Sequence, residues 1–445
     1  MNEQQRKDFE YLVSRYQSTK GTKIDWNRVI PLSNEDDELC MYSELTEPSL
    51  EETKTLLDQL VVLKLNGGLG TSMGCTAPKS TIEVRDDRSF LDLIVQQLQS
   101  LNKRYSVDIP LVLMNSFSTK PFVDADLPKY ASTGVTIHTF LQNQFPRLSA
   151  ATERPMTELT EDDKEYWYPP GHGDVLTSFI RSGLPEGALK GKKYVFISNA
   201  DNLGGTVDPI LLKHFSAIDA EFLSEQTDKT LADVKGGTLI KYDGKVKLLE
   251  TAQVPAEHMD DFCSINMFKI FNTNNIWIKI PALARAVESG LDLDIIVNRK
   301  TVPTPSGDVP VIQLETAVGA GISCFKGAGV NVPRSRFLPV KTTNDLLLLQ
   351  SDIFDEEDGL VRLIPTLSAQ PSVKLGPEFK LVRQFDSRFR GIPSIKQLKS
   401  LEIEGDVVVG KDVTLVGDVV LKGGEKPLVI PDGATISDRV VDGEL

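Results

Sequence analysis

Cysteine is scarce in this chain: four occur in 445 residues, Cys40, Cys75, Cys263 and Cys324. They lie far apart and form no C-x-x-C pair, which argues against zinc ligation and against a disulfide framework. Reduced thiols in a cytoplasmic protein are the simplest reading. Long apolar runs are missing too; none approaches the ~20 residues needed to span a bilayer. The N-terminal stretch, Met1-Asn2-Glu3-Gln4-Gln5-Arg6, is too polar for a signal peptide. Positive charge is in deficit: 49 Lys and Arg stand against 63 Asp and Glu, a net charge of −14. A general nucleic-acid or membrane binder needs a basic footprint, so neither partner is expected. An anionic substrate would need a local basic pocket and the help of a divalent cation. What remains is ordinary for a globular protein, with 40% apolar and 25% charged residues and length for two or three domains.

The chain is organised around Leu60 to Thr81. Leu60-Val61-Val62-Leu63-Lys64-Leu65 reads as a strand buried on both faces. It runs into a loop with Gly67, Gly68, Gly70 and Gly74, whose backbone can turn sharply and bring its N–H groups close to a ligand. Lys79, braced by Pro78, is a point charge suited to phosphate. Two familiar phosphate motifs nearly fit and both fail. Counting back from Lys79-Ser80, the P-loop glycine positions hold Pro78 and Met73. The dinucleotide fingerprint fails because Gly68-x-Gly70 is followed by Gly74, one residue late. A glycine-rich surface turn is the bland alternative.

Around it, residues 1 to about 20 have the spacing of an amphipathic helix (Phe9, Leu12, Val13, Tyr16). The acidic run Asn34-Glu35-Asp36-Asp37-Glu38 reads as a solvated connection. Phe90 to Leu101 is helical in pattern. Ile109 to Met114, Val135 to Phe140 and Tyr194 to Ile197 read as strands, which together predict parallel β-α-β units. Gln142 follows one strand, and its amide can donate and accept at once. Tyr168-Pro169-Pro170-Gly171-His172-Gly173-Asp174 suits a side chain held against a ligand, or a tight turn capped by Asp174 before a helix. Asp201 follows another strand, at the sheet edge where ligands collect, and is a magnesium-ligand candidate or an Asx turn. Residues 233–255 predict a hairpin turning at Asp243-Gly244, with Gly237 and Glu250 able to reach one ligand. Phe271-Asn272-Thr273-Asn274-Asn275 is a polar knot, either a turn or a sugar-binding set. Arg334, Arg336 and Lys341 form the one dense basic cluster.

The C-terminal region repeats. Leu401, Val407, Val413 and Val419 recur every six residues, as do Ile403, Val409, Leu415 and Leu421. Such a period is the signature of a parallel β-helix, with one flat side per hexapeptide. The repeat breaks at Gly423-Gly424, and the last residues would cap its open end. Pro365 to Pro377 reads as a linker.

Lys64 to Cys75 followed by Pro78-Lys79-Ser80 closely resembles the nucleotide-binding loop of eukaryotic-type UDP-glucose pyrophosphorylases (UTP–glucose-1-phosphate uridylyltransferases). The blocks at 168–174, 198–202, 233–255, 271–277 and 332–345 repeat the resemblance in the family's order. It covers about 60–345 closely and the C-terminal module in kind. It implies an α/β fold: a Rossmann-like, GT-A-like nucleotidyltransferase domain on a mixed or parallel sheet, with a C-terminal left-handed parallel β-helix. The expected boundaries are 1–45 for a helical segment, 46–360 for the catalytic domain and 361–445 for the β-helix. The implied reaction is UTP + α-D-glucose 1-phosphate ⇌ UDP-glucose + pyrophosphate, with Mg²⁺.

By the same resemblance Lys79 and Lys341 are catalytic. Leu65, Asn66, Gly67, Gly68, Gln142, Gly171, Asp201 and both lysines would hold the nucleotide, with Gln142 on the uracil. Gly67, Gly68, His172, Asn199, Ala200, Asp201, Gly237, Glu250, Asn272 and Asn274 would hold the sugar phosphate, and Asp201 the metal. Phosphoryl-type transfer between anions requires positioning and charge neutralisation rather than a protein nucleophile, in keeping with the lack of any Ser/His/Asp or Cys/His arrangement. A UDP-N-acetylhexosamine pyrophosphorylase of the same fold is one alternative; its loop normally carries an arginine after Gly-Thr, where this chain has Ser72-Met73. A non-catalytic nucleotide-sugar binder is another. The failed fingerprint disfavours a dehydrogenase. A monomer, or a homo-oligomer formed through the C-terminal module, fits the sequence equally.

Overall fold

The computed structural model of the chain describes residues 1–33, 36–230 and 233–443. Asn34 and Glu35, which open the acidic run, lie outside the described residues, as do the last two residues assigned to a cap. The chain divides into two compact units that alternate along the sequence. One is Met1–Gly67, Leu101–Asn199 and Val207–Arg334; the other is Gly68–Ser100, Ala200–Thr206 and Ser335–Leu445.

In the first unit the labelled strands, in chain order, are β1 (Leu39–Met41), β2 (Leu60–Asn66), β3 (Leu111–Asn115), β4 (Ile137–Leu141), β5 (Tyr194–Asn199), β6 (Phe222–Asp228), β7 (Thr238–Tyr242), β8 (Lys245–Leu249), β9 (Ile270–Lys279) and β10 (Gly327–Asn331). Eight of them form one sheet in the order β1-β10-β6-β9-β5-β2-β3-β4. Only β9 runs antiparallel to its neighbours, so the sheet is mixed. The apolar run Leu60–Leu63 forms β2 and is buried, as a central strand covered on both faces requires. Val61, Leu63, Val112, Met114, Val195 and Ile197 pack with Val175, Leu176 and Phe179 of the helix Val175–Arg181.

From β2 the chain moves outward through β3 and β4, then returns to β5 on the other flank of β2. The strand order reverses there, and the carboxyl ends of β2 and β5 are where an open α/β sheet receives ligands. Asn66, Asn115 and Leu141 stand in register at that edge, and Leu65 stands opposite Asn199. The expected hairpin is β7–β8, turning through Asp243 (φ +52°) and Gly244 (φ +75°), the positive pair that a two-residue turn needs. The N-terminal helix is Glu3–Thr19, capped by an Asn2/Gln5 box, and it buries Phe9, Leu12 and Tyr16. No helix among the described residues is long and apolar enough to cross a membrane.

The second unit carries the repeat. Its strands are β11 (Ser372–Leu375), β12 (Ser394–Glu404), β13 (Val407–Val409), β14 (Thr414–Lys422), β15 (Leu428–Ile430) and β16 (Thr435–Asp442). These six pair only in parallel, β11-β12-β14-β16 in one sheet and β13-β15 in another, whereas the unit's two short hairpins, Glu83–Arg85 with Arg88–Ser89 and Phe354–Glu357 with Leu360–Leu363, are antiparallel. Leu401, Ile403, Val407, Val409, Val413, Leu415, Val419 and Leu421, the periodic positions, are all buried. The stretch 365–377, read as a linker, contains β11, which pairs in register with Ser400–Ile403. Only four residues long, it carries too little pattern to announce itself.

Candidate functional site

The first unit gathers amides and glycines at the sheet edge. Asn66 closes β2 and donates through Nδ2 to Asn115 Oδ1 at 2.9 Å. The Asn115 carbonyl accepts the Gln142 N–H at 2.9 Å. The Gln142 side chain rests on Gly67, where any Cβ would run into its Nε2, while a Cβ on Gly68 would meet nothing within 4 Å. The glycine at 67 therefore makes room for the amide itself.

Asp174 does not cap the helix after it. Its backbone is already helical, and its carboxylate turns to the segment beyond Gln142. There it accepts from Asn143 N (2.7 Å) and Asn143 Nδ2 (2.8 Å), and from Ser178 Oγ (2.5 Å). Burial pushes this carboxyl up from its ordinary range. The bonds tie Gln142's neighbour to the turn bearing Gly171 and His172. Gly171 has φ +85°, and a Cβ there would lie 2.5 Å from the Thr316 carbonyl oxygen, so only glycine fits. His172 Nδ1 accepts the Val318 N–H at 3.2 Å. With Nδ1 so engaged, the proton belongs on Nε2. The surrounding protein holds this imidazole's pKa down to about 4 even though part of the ring is open to water. The ring is thus a neutral donor at physiological pH.

A second amide cluster continues from β5. Asn274 Nδ2 donates to Asn199 Oδ1 at 3.0 Å, and Asn274 N donates to Asn272 Oδ1 at 3.1 Å. Asn272 N donates to the Gly237 carbonyl at 2.9 Å. Gly237 and Glu250 extend the β7–β8 ladder by one step beyond Thr238 and Leu249. A Cβ on Gly237 would lie 2.7 Å from Glu250 Oε1, and burial raises the Glu250 carboxyl. The knot 271–275 is not a turn. It lies inside β9, whose register against β6 is broken there.

The second unit holds charge. The glycine loop closes on itself: Met73 N and Cys75 N both donate to the Gly70 carbonyl, at 2.9 and 3.0 Å. Lys79 Nζ reaches Asp201 Oδ2 at 3.0 Å and the Val340 carbonyl at 2.9 Å, while Val340 N donates to the Asp201 carbonyl at 3.2 Å. Three distant segments thereby meet, and Lys341 follows Val340 directly, just as Ala200 precedes Asp201. The Lys341 side chain is exposed, its Nζ 5.5 Å from the Phe337 ring centre. The basic cluster seen in the sequence is not one functional group. Arg334, in the first unit, pairs with Asp233 at 2.6 Å. Arg336, in the second, is buried and donates to the Thr206 carbonyl at 2.9 Å. Among the described residues no three His, Cys, Asp or Glu side chains converge as a metal cage. Mg²⁺ shared with substrate phosphates needs only one or two carboxylates, and Asp201 suits that role.

Several supporting residues carried little signal. Asn115 and Glu225 sit inside strands, where a polar letter reads as solvent-facing. Lys64 was a hint: a charge within an apolar run, here buried and donating to Ser198 Oγ at 2.7 Å. The four cysteines are free.

The family model described as UTP–glucose-1-phosphate uridylyltransferase matches residues 6–416. The chain belongs to this family. Among uridylyltransferase relatives, the protein so named from Musa acuminata is 50% identical over 452 residues, spanning 100% of this chain and 95% of its own. A probable UTP–glucose-1-phosphate uridylyltransferase of Schizosaccharomyces pombe is 45% identical over 446 residues, spanning 98% of this chain and 88% of its own. Solved structures agree. A UDP-glucose pyrophosphorylase variant from Leishmania major matches with a TM-score of 0.86 at 33% identity, covering 100% of this chain and 96% of that one. Another variant of the same protein, in complex with UDP-glucose, matches at 0.85 and 34%, covering 97% and 94%. The mixed α/β fold described above is the fold of these uridylyltransferase structures.

Proposed function

We infer that this chain transfers a uridylyl group from UTP to α-D-glucose 1-phosphate, giving UDP-glucose and pyrophosphate. The observation that carries the reading is full-length likeness, at about half identity, to proteins named for that reaction. A phosphate oxygen of the sugar phosphate attacks the α-phosphorus of UTP; the new O–P bond forms as the bond to the β-phosphate oxygen breaks, and pyrophosphate departs with that electron pair. The attacking oxygen is already ionised, so no general base is needed.

The first unit's residues would bind and orient. Gln142, pressed on Gly67, reads the uracil edge beside Leu65 and Asn66, and Gly171 lets the backbone approach the nucleoside. His172 donates from Nε2 to the sugar phosphate. Asn199, Asn272, Asn274, Glu250 and Gly237 frame the hexose, the carboxylate accepting from its hydroxyls. In the second unit, Gly68 and Lys79 would hold the triphosphate and Lys341 the reacting phosphates. Asp201, with Ala200 beside it, would hold Mg²⁺, which when bound screens negative charge on the phosphates.

We further propose that β11–β16 form a left-handed parallel β-helix. Purely parallel pairing supports it, with the β12–β14 offset at 18 residues, three hexapeptides, from Ser400 to Glu404 after two register shifts from offsets of 20 and 19. Four free, well-separated thiols support a reducing, cytoplasmic setting. The test of the main reading is pyrophosphate release from UTP by the purified chain. Release that requires both glucose 1-phosphate and Mg²⁺, with N-acetylglucosamine 1-phosphate a poor replacement, is the expected result. Release without the sugar phosphate, or a preference for the N-acetylated one, would overturn it.

A further inference from the structure

Glu225 is fully buried at the middle of β6, outside the motifs read from the sequence. Its carboxylate accepts the Trp277 Nε1–H at 2.9 Å through Oε1 and the Asn275 Nδ2–H at 3.0 Å through Oε2. Its carbonyl accepts the Thr273 hydroxyl at 2.8 Å. All three partners lie on β9. The β6–β9 ladder pairs Ser224 with Ile276 and then Gln226 with Asn272, so Glu225 alone stands opposite Thr273, Asn274 and Asn275.

That mismatch is a bulge, and a bulge re-aims the side chains it carries. Asn274 sits at its crown with φ +61°, a left-handed conformation that asparagine adopts more readily than most side-chain-bearing residues and that takes it off the regular strand path. On its other flank β9 pairs with β5, Ile197 opposite Ile276; carried two residues further, that register sets Asn199 opposite Asn274, and Asn274 Nδ2 donates to Asn199 Oδ1 at 3.0 Å. Bonds from Glu225 hold the residue before the crown, the residue after it, and Trp277, which is further anchored by stacking on Phe196 at 4.3 Å. A buried carboxylate is costly unless fully bonded, so this one belongs to the geometry it imposes.

We propose that Glu225 is the positioning residue for hexose selection: by pinning the β9 bulge it fixes Asn274, and with it Asn272 and Asn199, against the sugar. The proposal rests on the reading that Asn274 contacts the hexose. It predicts a split that a merely structural role would not produce. Glu225→Gln turns one acceptor into a donor facing a donor. The loss of one such bond should raise KM for glucose 1-phosphate about tenfold, with KM for UTP unchanged. The ratio of kcat/KM for glucose 1-phosphate over galactose 1-phosphate should fall with it. Trp277→Phe, which keeps an aromatic ring beside Phe196 while removing the indole donor together with part of the buried bicycle, should give the same split in weaker form.

The experiment is steady-state kinetics on the full chain, each substrate varied in turn, for Glu225→Gln, Trp277→Phe, Asn274→Ala and the Trp277→Phe/Asn274→Ala pair. Non-additive effects on glucose 1-phosphate support the proposal. If Glu225→Gln does not fold, Trp277→Phe and the pair decide. The proposal falls if Asn274→Ala impairs glucose 1-phosphate selectively while the other substitutions leave it untouched, or if they weaken both substrates equally. If Asn274→Ala itself leaves the sugar kinetics unchanged, the underlying assignment of Asn274 fails, a result distinct from the first.

Discussion

The two units present opposite chemistry. The first offers mainly neutral groups: the amides of Asn66, Gln142, Asn199, Asn272 and Asn274, a neutral imidazole at His172, and glycines at 67, 171 and 237 that admit a close neighbour, beside the buried carboxyl of Glu250. The second offers ionised groups, the Lys79–Asp201 pair and the exposed ammonium of Lys341. Uracil and hexose keep their shape and charge throughout the exchange, so fixed donors and acceptors suit them; an amide held in place discriminates without the desolvation penalty of an ion. The phosphates change charge distribution at the transition state, and only charges aimed there lower the barrier. Substitutions in the first unit should therefore alter KM and selectivity, and those in the second should alter turnover.

The largest expected effect tests the charged half. Lys341→Ala should cost roughly 3 kcal/mol in the transition state, on the order of 10²-fold in rate, with little change in stability because the side chain is exposed. The measurement is kcat in saturating UTP and glucose 1-phosphate. Undiminished turnover would remove Lys341 from the chemistry and erase the proposed division of labour.

Next is Gly171→Ala. At φ +85° the backbone is closed to L side chains, and the new methyl would press on the Thr316 carbonyl at 2.5 Å. A loss of roughly 3 kcal/mol of stability is expected, read as a lower unfolding midpoint in urea. A midpoint equal to wild type would mean that the turn is soft and does not set the position of His172.

Much of this could be read from the letters. The β2 run, the glycine loop, the hairpin at Asp243-Gly244 and the hexapeptide period all depend on local pattern, and all appear in the structure. The closeness of Gly237 to Glu250 followed from that hairpin. Less legible was whatever depends on pairing across the chain. Asp174 read as a helix cap because the residues beside it were all that could be weighed; its partner Asn143 lies 31 residues away. Asn272 to Asn275, taken in isolation, read as a turn first, since a bulge is defined by the partner strand and not by the strand that carries it. The arginines at 334 and 336 read with Lys341 as one basic cluster because Asp233 and Thr206, which engage them, are remote in sequence.

A smaller change sharpens the neutral half. Gly67→Ala puts a methyl where Gln142 Nε2 lies, whereas Gly68→Ala meets nothing within 4 Å. Because Gln142 can swing aside, Gly67→Ala should leave the fold intact yet raise KM for UTP about tenfold, the worth of one good hydrogen bond. Gly68→Ala, whose methyl meets no protein atom within 4 Å, should leave the fold and the seat of Gln142 as in wild type. Equal effects at the two positions would show that backbone freedom, not space for the amide, is what the loop requires.

The smallest effect concerns pH. His172 is held at a pKa of about 4 against an ordinary 6.5, because protonation would oppose burial and strip the Val318 N–H of its acceptor at Nδ1. As pH falls below 6.5 the unfolded chain takes up the proton before the folded one does, so stability contributed by the neutral ring is present above 6.5 and is lost progressively as pH drops through 4. Water reaching the exposed part of the ring keeps that loss modest. His172→Asn retains an acceptor near the Nδ1 position and removes the titration. Its unfolding midpoint should match wild type at pH 8 and decline less steeply between pH 6.5 and 4. Parallel curves across that window would mean that the imidazole takes up a proton equally well in both states, and His172 would then join the charged groups rather than the neutral ones.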